Sequence, residues 1–149
     1  MMSVRVQNED FDVGAESRAL QADNVGAIAL FVGTVRGMNS DQGVTAMTLE
    51  HYPGMTEQEL DRIEAEAMSR WPLENVTIIH RVGRLVAGDQ IVLVAAASAH
   101  RQAAFDAAQF IMDFLKTDAP FWKAEERGDV TSWVDARQSD TSALDKWKT

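Results

Sequence analysis

The sequence has no cysteine, only three prolines and a single tyrosine in 149 residues. Without cysteine there is no disulfide, no thiolate metal site, no iron–sulfur cluster and no cysteine nucleophile. Whatever chemistry the chain performs, its own thiols do not perform it. Long apolar runs are missing too. The longest, Ala27 to Val32 and Ile91 to Ala97, fall far short of the roughly 20 residues a membrane span needs. Residues Met1 to Asp10 lack an apolar h-region and carry acids where a signal or transit peptide avoids them, so the expected location is the cytoplasm. Positive charge is scarce, with 14 Lys and Arg against 23 Asp and Glu and a formal net charge of −9. That excludes the broad basic footprint that nucleic acid or an anionic membrane requires. Any basic cluster must be local.

What is present suits one domain over 1–149, since 46% hydrophobic residues is enough for a sizeable core at this length. The run from Ala27 to Val35, rich in apolar residues, reads as a buried strand with Arg36 at its mouth. A polar loop bounded by Gly37 and Gly43 follows, then a strand from Val44 to His51. Pro53-Gly54 breaks the chain. Thr56 and Glu59 have capping-box spacing for a helix to about Arg70, with Leu60, Ile63 and Ala67 inward and the acids Glu57, Glu59, Asp61, Glu64 and Glu66 on an exposed face. Strands are expected at Val76–Val82 and Ile91–Ala97, joined by a turn over Gly83–Asp89. Ser98 would cap the longest helix, about His100 to Lys116, whose stripe is Ala104, Phe105, Ala108, Ile111, Met112 and Leu115. Pro120 stops it. Phe121–Lys123 and Trp133–Val134 read as short strands around Arg127-Gly128-Asp129, and the polar tail 138–149 is expected to be flexible. Strands and helices alternate only loosely, which predicts an α+β fold.

The chemistry points to Ser98–Lys123. His100 and Arg101 stand at a helix start, where cations are disfavoured unless an anion binds. The alternative is a surface arginine beside a capping histidine, and these two residues alone leave both readings open. Lys116 closes the same helix, where a lysine ordinarily complements the dipole. Lys123 follows Phe121-Trp122, an apolar setting in which a solvent-facing lysine is less expected. Walker, G-x-S-x-G and H-E-x-x-H patterns are absent, and His51, His80 and His100 lack metal-ligand spacing. No metal or cofactor is expected, and His51 and His80 read as hydrogen-bonded members of their strands.

The stretches Phe31-Val32-Gly33-Thr34-Val35-Arg36, Leu49-Glu50-His51-Tyr52-Pro53-Gly54-Met55-Thr56-Glu57, His80-Arg81-Val82-Gly83, Ala99-His100-Arg101 and Met112 through Lys123 carry a resemblance. From about Val4 to Trp147 the chain resembles the large, catalytic subunit of molybdopterin synthase. The resemblance implies a mixed or antiparallel sheet packed by two main helices, α/β-hammerhead-like, with a small additional sheet. It implies a sulfurtransferase of molybdenum cofactor biosynthesis. Sulfur would arrive as a thiocarboxylate on the C-terminal Gly-Gly of a small ubiquitin-like subunit and pass to cyclic pyranopterin monophosphate, making the dithiolene of molybdopterin. It also implies a central homodimer of large subunits within a heterotetramer. Residue by residue, Lys116 and Lys123 match the family's catalytic lysines, and Arg36, His100 and Arg101 its substrate-anion ligands. Arg137 is a further candidate for the same pocket. Ala124 departs from the pattern, which is expected to carry a second basic residue there. Two rival functions remain: a scaffold that binds the ubiquitin-like partner without turnover, and an unrelated phosphate-ester enzyme with the same cationic pocket.

Overall fold

The computed structural model describes residues 3–37, 43, 45–117, 119, 121–127, 130–134 and 147. Along the described chain run β1 (Val4–Gln7), α1 (Val13–Ala19), β2 (Ala27–Thr34), β3 (Ala46–His51), α2 (Met55–Arg70), β4 (Leu73–Arg81), β5 (Gly83–Val86), β6 (Gln90–Ser98), α3 (Arg101–Thr117), β7 (Phe121–Arg127) and β8 (Val130–Val134). They form a mixed α+β domain with two four-stranded sheets. Sheet A has the order β1-β4-β6-β2 and sheet B the order β5-β3-β7-β8. In sheet A only the β1–β4 pair is parallel, whereas every pair in sheet B is antiparallel.

Sheet A owes its strength to β6. From Val92 to Ser98 every residue of this strand is buried, as a central strand covered on both faces demands. On one face α2 and α3 press Leu60, Ile63, Ala67, Ala104, Ala107, Ala108, Phe110, Ile111 and Leu115 against Val76, Ile78, Val94 and Ala96. Leu60 and Ile111 are wholly buried there, so truncating either to Ala would cost about 2–5 kcal/mol. The opposite face carries two small clusters, Phe11 with Ile79 and Leu93, and Leu20 with Ala95 and Ala97. Sheet B has its own core of Met47, Leu49 and Leu85 closed by Val35.

Several local expectations change. Nothing in the N-terminal pattern announces β1 and α1; Asp12 caps α1 by accepting from the Ala15 N–H at 3.0 Å. The expected turn over Gly83–Asp89 begins with a real strand, β5, paired with β3. The glycines that bound it, Gly83 and Gly88, both take φ of 92°, a left-handed conformation that favours glycine. Only half of the expected capping box forms, and it lies two residues nearer the N-terminus, at Gly54, which has no side chain to complete it. Glu57, not Glu59, reaches back to the N–H of Gly54 at 3.1 Å, while Glu59 pairs with Arg62. Thr56 is buried and donates its hydroxyl to the Tyr52 carbonyl at 2.9 Å. Phe105 is 60% exposed instead of inward; Ala107, Phe110 and Phe114 supply the inward stripe that the pattern missed. Glu64 is half-buried, and burial raises its carboxyl pKa above the usual range, partly offset by a hydrogen bond from Ser3. Residues 38–42 of the Gly37–Gly43 loop, Val44, and the tail 138–149 apart from Trp147 lie outside the described residues.

Candidate active site

Part of the chemistry-bearing set gathers at the end of sheet A where β6 begins. β4 pairs with β6 so that His80 sits opposite Val92, and β2 pairs so that Thr34 sits opposite Gln90. α3 returns antiparallel to β6, which carries Lys116, in its last turn, to the same end as His80 and Arg36. His80 is buried, and its Nδ1 lies 2.8 Å from the Arg81 carbonyl. A carbonyl only accepts, so Nδ1 carries the hydrogen and Nε2 is bare. Burial above all, together with the charges of Lys116 and His51, pushes the His80 pKa down to about 4, against the pull of the Arg81 hydrogen bond. The ring is therefore neutral at pH 7.

Against that ring lies Phe121, stacked with centroids 3.8 Å apart and planes 16° from parallel. Phe121 opens β7 and faces His51 across the β3–β7 ladder. Two residues on, Lys123 pairs with Leu49 on the same strands. Alternation puts Phe121 and Lys123 on one face of β7, the face that holds Met47, Leu49 and His51. Lys123 is half-buried there, whereas Lys116 is exposed. His51 brings Nδ1 to 4.0 Å from a Glu57 oxygen, the same oxygen that accepts from Gly54. Ala124 is buried on the other face of β7. A basic residue in its place would point away from Lys123, so the departure at Ala124 leaves the lysine's own face unchanged.

Arg36 stands exposed just past β2. Its neighbour Val35 is pinned by a pair of backbone hydrogen bonds, Val35 N–H to Asp89 and Gly88 N–H to Val35, each at 2.9 Å. His100 and Arg101 occupy the opposite end of the sheet, both exposed, where β6 hands over to α3. Fifteen helical steps part Arg101 from Lys116, about 22 Å along the axis. One chain therefore brings Arg36, Lys116 and Lys123 toward one region with His80 and Phe121, and leaves His100 and Arg101 apart from them. The His100–Arg101 corner is itself closely built. Gly26 donates to the Ser98 carbonyl at 2.9 Å, and a Cβ on Gly26 would come within 2.2 Å of the Ala99 carbonyl oxygen. Arg137 lies outside the described residues.

With this geometry in view, the likeness to known proteins becomes decisive. The family model described as "MoaE protein" matches residues 6–118. The chain belongs to the MoaE family. Among curated relatives, the molybdopterin synthase catalytic subunit of Ralstonia nicotianae is 55% identical over 99% of this chain and 85% of its own length. That of Pseudomonas aeruginosa is 54% identical over 99% of both. Of solved structures, molybdopterin cofactor biosynthesis protein E from Burkholderia multivorans superposes with a TM-score of 0.82 at 56% identity, covering 99% of this chain and 97% of that one. The molybdopterin synthase of Staphylococcus aureus gives 0.84 at 28% identity, covering 90% and 98%. This membership makes the chain an enzyme of molybdenum cofactor biosynthesis with the mixed α+β fold of MoaE proteins.

Sequence reasoning did not bring His80 and Phe121 into the candidate site. The only available signal was a histidine inside Val76–Val82, a strand apolar on both faces, where a polar ring needs a reason to be buried. Among the described residues no helix is long and apolar enough to cross a membrane.

Proposed function

We propose that this chain is the catalytic subunit of a molybdopterin synthase and moves sulfur from the C-terminal thiocarboxylate of a small ubiquitin-like subunit to cyclic pyranopterin monophosphate. The observation that carries this reading is the placement of Lys116 beside the buried His80 ring and of Lys123 two residues beyond Phe121 on the same strand face, in a chain of the MoaE family. Each thiocarboxylate supplies one sulfur, so two donors are consumed as the cyclic phosphate opens and the dithiolene forms. Lys116 and Lys123 polarise the thiocarboxylate carbonyl and pass protons during sulfur addition and acyl release. Arg36, His100 and Arg101, with Arg137 a further candidate, neutralise the phosphate and the charge that develops as its ring opens. The protein needs no metal or cofactor of its own for these steps. The donor tail is held mainly by backbone hydrogen bonds, because Gly-Gly offers no side chains to read. The setting is the cytoplasm.

A homodimer within a heterotetramer reconciles these roles with the separation along α3. β2 is an edge strand of sheet A and exposes Leu30 and Phe31 to 41% and 39%. One end of β2 lies beside Ser98 and the His100–Arg101 corner, the other beside Gln90 and Arg36. A two-fold axis near the middle of β2 sets the Arg101 end of one copy beside the Lys116 end of the next. Each pocket then takes its lysines from one copy and its anion grip from the other.

The test is to incubate purified protein with cyclic pyranopterin monophosphate and thiocarboxylated small subunit and to look for dithiolene. Partner binding without product would indicate a scaffold. Turnover of the phosphate ester without any sulfur donor would indicate an unrelated esterase.

A further inference from the structure

The two lysines belong to different parts of the fold. Lys116 ends α3, whose inward stripe is packed on sheet A, whereas Lys123 lies in the middle of sheet B. Their relative placement therefore depends on how the start of β7 is fastened to sheet A. One fastening at the start of β7 is aromatic, beside the aliphatic contact of Ile91 with the core of sheet B. His80 comes from β4 of sheet A and Phe121 from β7 of sheet B, and the two rings overlap at 3.8 Å and 16°. Phe121 also packs against the main core of sheet A and its helices.

We propose that His80 is a positioning residue for the lysine pair: its buried ring, stacked on Phe121, fixes the start of β7 against sheet A and so sets where Lys123 stands relative to Lys116. The inference rests on the sulfur-transfer reading. The choice of histidine over a plain apolar ring follows from its second contact. The Nδ1–H donated to the Arg81 carbonyl at 2.8 Å fixes the ring's rotation and with it the plane that Phe121 meets. A neutral ring also places no competing positive charge beside Lys116. Phe121 transmits the position directly, because Lys123 follows it by two residues on the same face of β7.

The experiment compares wild type, His80→Ala, His80→Gln, His80→Phe and Phe121→Leu, each as the full chain with thiocarboxylated small subunit and cyclic pyranopterin monophosphate. His80→Gln keeps an amide donor for the Arg81 carbonyl but has no ring. His80→Phe keeps the ring and loses the donor. In His80→Ala and His80→Gln kcat should fall about 100-fold, the scale of an ångström's misplacement of a catalytic group. KM for the pterin and the affinity for the small subunit should not move. His80→Phe should recover to within about fivefold of wild type, the equivalent of one neutral hydrogen bond lost. Phe121→Leu should resemble His80→Gln, and a His80→Gln/Phe121→Leu double variant should be no worse than either alone. Wild-type kcat in His80→Gln, or a His80→Phe no better than His80→Gln, would overturn the proposal. Should His80→Ala fail to fold, His80→Phe and Phe121→Leu, which keep an apolar group in place, decide the matter; an unchanged kcat in Phe121→Leu overturns it. Absence of dithiolene from wild type would instead remove the sulfur-transfer reading, and this inference with it.

Discussion

Acidification should weaken the fold through His80, by an amount its burial sets. Its pKa is pushed down to about 4 by burial first and by Lys116 and His51 second, whereas an unfolded chain titrates it near 6.5. The folded state therefore binds fewer protons than the unfolded one between these values, and stability rises with pH across that window. The contribution is complete above pH 6.5 and is lost as pH falls toward 4. Between pH 7.5 and 5 the loss is about 2 kcal/mol. Urea unfolding of wild type and His80→Phe at both pH values, at one fixed protein concentration, isolates the contribution of this ring. Glu64, raised by burial, and Asp10, lowered first by its hydrogen bond from Gln90, also titrate. Both are common to the two proteins and cancel in the comparison. Wild type should lose about 2 kcal/mol more than His80→Phe on going to pH 5. Parallel pH dependences would refute the buried, neutral state of His80 on which its role depends.

Other outcomes follow from the same geometry. Lys116→Ala should lower dithiolene formation by about 10²–10⁴-fold, as loss of a proton-transfer group does, with small-subunit binding by calorimetry unchanged; wild-type turnover would remove its role. Arg101→Ala should raise KM for the pterin roughly 10–100-fold, the range of one charge-assisted hydrogen bond, with a smaller change in kcat. Gly26→Ala should lower stability by about 1–3 kcal/mol, because its Cβ meets the Ala99 carbonyl at 2.2 Å and the β6–α3 corner must shift. The same variant should raise KM, since that corner carries His100 and Arg101.

Much of this fold could be read from periodicity, and the failures share a cause. The buried runs of β2, β4 and β6 and the stripes of α2 declare themselves, because burial fixes the side-chain period. β5 hides behind its bounding glycines: Gly83 and Gly88 look like turn residues and are, yet the four residues from Gly83 to Val86 find a partner in β3. The short β1 and α1 depend on tertiary contacts, with Val4 and Phe11 held by the rest of the molecule, so local pattern is silent there. Within the candidate site, Lys116 and Lys123 stand out from the motif that contains them. Their support does not. Stacking of His80 on Phe121 joins residues 41 positions apart in two different sheets, and no local spacing encodes that. Likewise, the sequence places His100, Arg101 and Lys116 on one helix, which suggests a single pocket. Helix length separates them by about 22 Å, so proximity in the chain misleads.

The most direct test of the account concerns that separation. A mixed dimer of Lys116→Ala and Arg101→Ala copies, co-expressed with two different tags and purified through both, contains one doubly defective pocket and one intact pocket if each site draws on two copies. Supplied with thiocarboxylated small subunit and with cyclic pyranopterin monophosphate held below the wild-type KM, so that the Arg101→Ala defect shows in the rate, it should form dithiolene at about half the wild-type rate, far above either homodimer. A mixed dimer no more active than the average of its two parents would contradict the shared site and the division of labour built on it.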